Sequence, residues 1–143
     1  MSEAAKATGV GIEIEFQGKK YQMPDLTVEM IGLMERRLCR RMVERMEMIR
    51  DAVPESIFNE YRDATLALIG CGEFAYGSKA MANWSFSPEG MQYECYLKLN
   101  YADRSVTEEL ASEIWKELST TIMATLRAGA IPDPTVAQPE GQN

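Results

Sequence analysis

The sequence predicts a mainly α (α+β) fold: a small helical domain of about four helices behind an N-terminal β-hairpin. Three observations carry this. Apolar residues alternate cleanly with a period of two near the start of the chain, in GIEIEFQGKKYQM. From Thr27 onward they recur instead in steps of three and four. Breaks at Pro54, Gly70–Gly72, Ser87-Pro88 and Asp103–Ser105 cut that pattern into helix-length pieces. With 143 residues, 45 % apolar and 26 % charged, the chain has the size and composition of one globular domain.

Residues 1–10 read as a flexible leader, 11–128 as a single globular domain, and 129–143, with three prolines, as a flexible tail. In the hairpin, Ile12, Ile14 and Phe16 share one face and Tyr21 and Met23 return on it, around a tight turn at Gln17-Gly18-Lys19. A lone two-stranded hairpin is marginal in water, so it must lie on a helix or pair with another chain. Asp25 or Thr27 can cap a long helix over 27–52, with Ile31, Met34, Leu38, Met42, Met46, Ile49 and Val53 as its apolar stripe.

Pro54 starts the next helix, whose buried side is expected to be Ile57, Phe58, Tyr61, Ala64, Leu68 and Ile69. Residues 72–88 alternate small and aromatic residues and read as a long connection or a second small hairpin over 82–86. A third helix runs from Ser87-Pro88 to about Tyr101. Ser105-x-x-Glu108 has capping-box spacing for a last helix over 106–127, with Leu110, Ile114, Trp115, Leu118, Ile122 and Leu126 inward.

Several function classes lose support. There is no histidine, which removes the commonest general base and metal ligand. Cys39, Cys71 and Cys95 are odd in number and widely spaced, which fits neither a disulfide framework nor a zinc site. Cys71 follows a helix C-terminus, the wrong end to stabilise a thiolate. The carboxylate pairs Glu13/Glu15, Glu108/Glu109 and Glu113/Glu117 are spaced for solvent, and no phosphate-loop or nucleophile-elbow motif occurs. We therefore expect no enzyme activity and no cofactor. The net charge of −7 argues against nucleic acid and anionic membrane, and no apolar run reaches the roughly 18–20 residues a membrane span needs.

The long helix carries six arginines against five acidic residues, a face that largely neutralises itself and points to solvent. Met30, Met34, Met42, Met46 and Met48 lie on or near its apolar side, and flexible methionine is overused at adaptable protein-binding surfaces. The candidate partner-binding residues are therefore Met34, Leu38, Met42 and Met46, with Phe74, Tyr76 and Trp84 from the aromatic segment. For each of them, core packing is the competing role.

The order of parts adds a resemblance. An I-E-F-Q-G-K-K-Y-Q-M-P hairpin leads into a Glu/Arg-rich helix with Leu33-Met34-Glu35 near its start, and YLKLNYADRSVTEELASEIW closes the body. This resembles the small tail assembly chaperones of tailed bacteriophages, with their G-K-x-Y hairpin, Leu-Glu helix and T-x-E-E helix start. The likeness spans roughly residues 12–118. It departs at Tyr101-Ala102-Asp103, where the family tends to have Pro-Asp, and in the longer 72–88 segment. It implies a non-enzymatic protein that covers the apolar helix of a tape measure protein in the host cytoplasm. The rival expectations are a structural particle protein (neck, connector or tail completion) found in the virion, a small ligand-binding or enzymatic domain using the aromatic segment, and a DNA-binding regulator. Homo-oligomerisation through the hairpin edge is a further expectation.

Overall fold

The computed structural model describes residues 11–129, and side chains over 11–125. The leader and the tail from residue 130 lie outside the described residues. Two strands, β1 (Ile12–Phe16) and β2 (Lys19–Met23), precede five helices: α1 (Val28–Met48), α2 (Glu55–Gly70), α3 (Lys79–Ser85), α4 (Pro88–Ala102) and α5 (Glu108–Gly129). The molecule is mainly α with an N-terminal antiparallel hairpin, as expected, and has one short helix more.

Gln17 (φ 52°) and Gly18 (φ 81°) both sit in the left-handed region, the two-residue turn whose twist matches a hairpin. Ile14 lies opposite Tyr21 and Ile12 opposite Met23. The buried face of the hairpin packs on α4 and α5. Thr27 is the N-cap of α1, its hydroxyl accepting from Met30 N at 3.2 Å. The helix ends at Met48, earlier than the sequence pattern runs. Arg50 N and Ala52 N then bond to carbonyls three residues back, at Glu47 and Ile49, in tighter turns that lead to Val53, which the following Pro54 biases away from helix.

α2 closes with a Schellman motif. Gly72 (φ 78°) donates to Ile69 O at 3.2 Å and Glu73 to Leu68 O at 3.1 Å. Its expected buried side is corrected. Phe58 and Thr65 are buried and Ile69 half-buried, but Ile57, Tyr61, Ala64 and Leu68 are exposed. α2 packs chiefly on α1, so only one narrow face is covered, and a second apolar stripe faces solvent.

The second small hairpin is also corrected: residues 79–85 are α3, with Ser78 as N-cap accepting from Met81 N at 3.1 Å. The weak alternation over 82–86 loses to that cap, which turns Met81 and Trp84 to one side, three residues apart. The α3–α4 corner is tight. A Cβ built on Gly90 would lie 2.0 Å from Trp84 O, so only glycine lets the two helices meet there.

α4 is the central helix and has apolar residues around most of its circumference. Cys95 and Leu99 join the hairpin and Val106, Ala111, Ile114 and Ile122 of the α5 region in one core. Leu97 joins Met30, Met34 and Leu38 of α1 and Met81 and Trp84 of α3 in another. Within α5, Leu110, Trp115 and Leu118 are half-buried, and the Leu126 side chain lies outside the described side chains.

The expected capping box at Ser105 is displaced by two residues. Asp103 Oδ1 accepts from Ser105 N at 3.0 Å and from Ser105 Oγ at 2.6 Å, so Ser105 is already engaged. Thr107 caps α5 instead, accepting from Leu110 N at 3.1 Å. Lys19 Nζ lies 3.3 Å from Asp103 Oδ2 and ties the hairpin turn to this corner. The Ser105 hydroxyl and amide, together with Lys19, hold the Asp103 carboxyl below its ordinary value of 3.8. A depressed carboxyl contributes stability that is complete above the ordinary value and is lost as pH falls through the folded one. Asp103→Asn is therefore expected to lower the urea midpoint at about pH 7, with the difference from wild type shrinking below about pH 4.

Candidate functional site: a methionine and aromatic groove

An apolar cleft of about 270 Å³ lies between β2, the α3–α4 corner, α4 and α5. Met34, deep in the second core, and Met23 form its floor; Tyr76, Phe86, Met91, Trp115 and Met123 form its rim. Met91, Trp115 and Met123 also border a shallower depression that runs on over Pro88, Thr120 and Ala124. Together these make one groove. Its rim keeps large apolar side chains in water: Phe86 is 77 % exposed, Tyr76 53 % and Met123 39 %. Glu94 and Lys98 are the two charged side chains that line it among the described residues, in a chain that is one quarter charged.

Local structure explains the rim. Phe86 is the residue after α3, and the corner bonds that follow it (Ser87 N to Trp84 O at 2.9 Å, Gly90 N to Ser87 Oγ at 3.1 Å) fix where it stands. Tyr76 is held from below, its backbone N–H donating to Glu35 Oε2 of α1 at 2.6 Å. Thus α1 supports the aromatic segment with a carboxylate at Tyr76 as well as with its methionines, which pack against Phe74 and Trp84.

The seven residues singled out from sequence separate into three places. Met34 and Tyr76 belong to the groove. Leu38, Met42, Phe74 and Trp84 line another depression with Arg45 and Glu89. Leu38 and Trp84 are buried there, and Trp84 Nε1 donates to Glu89 Oε1 at 2.8 Å. Met46 is buried toward the far end of α1, apart from both.

The arginines divide as well. Arg36, Arg40, Arg45 and Arg50 are exposed, as a solvated face requires. Arg37 and Arg41 instead turn toward α4 and α5. Arg37 Nη2 lies 2.6 Å from Glu108 Oε1 with its guanidinium 3.9 Å from the Tyr93 ring centre, and Arg41 pairs with Glu89 and with Glu44. Burial raises the Tyr93 phenol above its ordinary value, against the pull of Arg37. This network clamps three helices, and its cations are matched by carboxylates.

Two of the thiols are held in their protonated form. Cys95 is pushed up to about 12 by burial, and Cys39 is raised by burial and by Glu35. Among the described residues, no three Cys, Asp or Glu side chains are grouped so as to hold a metal ion, and no helix is long and apolar enough to cross a membrane.

Phe86, Met91, Trp115 and Met123 were not among the partner-binding residues named from sequence, because they come from three separate places in the chain: the residue after α3, the start of α4, and α5. One signal was legible. In YECYLKLN a lysine interrupts an apolar helical run with a glutamate four residues before it. Comparison with protein-family models, curated proteins and solved structures finds no match to this chain.

Proposed function

We propose that the protein is a non-enzymatic assembly factor of the phage tail chaperone type, which acts in the host cytoplasm by covering an apolar helical segment of a tape measure protein. The groove carries this reading. Four methionines and three aromatics line it, and such side chains adapt to an apolar helix without fine specificity. The order of hairpin, Glu/Arg-rich helix and Thr-capped last helix supports it, as does an acidic charge that keeps a coating protein soluble. Size-exclusion chromatography with light scattering, alone and with a long amphipathic helical peptide of tape-measure type, tests it. The expected result is a small species that shifts on adding the peptide. An inert species that ignores the peptide would sink the reading.

One observation favours a second reading, a structural particle protein. The exposed Ile57, Tyr61, Ala64 and Leu68 stripe on α2 follows 4-3-4 spacing, as a helix packed against a neighbouring subunit would. Detection of the protein in purified virions would support this reading, since a chaperone departs after assembly.

A further inference from the structure

The groove holds an ion pair within its apolar lining. Lys98 is only 6 % exposed, and its Nζ lies 3.0 Å from Glu94 Oε2. The Glu94 side chain keeps 28 % of its surface in water, whereas the Lys98 ammonium is nearly out of it, and a buried ammonium is costly unless its donors are met. An ammonium carries three N–H donors and a carboxylate two acceptor oxygens, so one mutual contact leaves both donor and acceptor capacity toward the groove. Glu94 is the one ionic partner of Lys98 among the described residues.

The occupant must complement both groups at once. An apolar side chain seated over the pair would strip water from it and return nothing. A carboxylate would meet Lys98 but be repelled by Glu94, and an ammonium the reverse. A carboxamide accepts from Lys98 and donates to Glu94 through one planar group. Inside a helix the backbone donors and acceptors are already used, so that amide must be a side chain. We infer that the groove selects an amphipathic helix carrying one Gln or Asn inside its apolar stripe, seated over Glu94 and Lys98, with neighbouring apolar residues on Phe86, Met91, Trp115 and Met123. This rests on the groove being the docking site.

The test uses the full chain and four labelled helical peptides of roughly 18 residues, identical but for Gln, Leu, Glu or Lys at the centre of the apolar stripe. Fluorescence anisotropy titrations rank them. The Gln peptide is expected to bind about tenfold tighter than the Leu peptide, the scale of a hydrogen bond to a charged group. In the double variant Glu94→Leu, Lys98→Met, which removes both charges and leaves neither unpaired, the order is expected to reverse. A Leu peptide equal to or tighter than the Gln peptide on the wild-type chain overturns the selectivity, and so does a Glu or Lys peptide that binds tightest. Failure of all four overturns the docking site itself. The wild-type ranking decides the matter even if the double variant does not fold.

Discussion

Gly90→Ala is expected to destabilise the protein by about 3 kcal/mol, at the upper end of the cost of overpacking. The methyl group would lie 2.0 Å from Trp84 O and 2.8 Å from Ser85 Cα, and backbone cannot swing aside as a flexible side-chain end would. The corner is pinned on both sides of the clash. Ser87 Oγ bonds Trp84 O at 2.5 Å and caps Gly90 N, while Trp84 Nε1 is tied to Glu89. Any relief must move α3 away from α4, and α4 is shared by both cores. Gly32→Ala is the control. It lies within α1, nothing stands within 4 Å of its added methyl, and the helix is expected to gain up to about 1 kcal/mol. Urea unfolding midpoints of the two variants should therefore move in opposite directions. A Gly90→Ala protein that unfolds with the wild type would mean that the two helices do not approach so closely.

Local rules made most of the fold legible. The hairpin follows from alternation plus Gln17-Gly18, and α1 and α4 begin at caps that stand in plain view, Thr27 and Ser87. What local rules missed required knowledge of neighbours. Ile57, Tyr61 and Leu68 look buried by spacing, but among the described residues α2 has one main packing partner, α1, which leaves them exposed. Ser105 fits a capping box, yet Asp103 competes for the same hydroxyl and wins. The groove was less legible than the fold. Its rim draws on the aromatic segment, the start of α4 and the middle of α5, and no single periodicity runs through these. The methionine-rich face of α1 looked like a docking surface, but its strongest members fill a core, and the surface methionines of the groove stand on α4 and α5.

Met34 and Phe86 make that distinction measurable, since both line the same groove and only one is in water. Met34 is 1 % exposed and packs among Met30, Leu38 and Leu97, so Met34→Ala should leave a cavity and cost about 2–5 kcal/mol of stability. Phe86→Ser removes a ring that is 77 % exposed and should change stability by no more than about 0.5 kcal/mol. Its effect belongs in binding. A rigid aromatic that a docked helix would cover and desolvate is the kind of anchor on which affinity concentrates, and its loss should weaken a helical peptide at least about tenfold. Paired measurements, urea midpoint and peptide affinity for each variant under conditions where both are folded, separate the roles. Met34→Ala should move the first far more than the second, and Phe86→Ser the second far more than the first. If Met34→Ala unfolded with the wild type and bound peptide poorly, Met34 would have to meet the partner at the groove floor rather than fill the core.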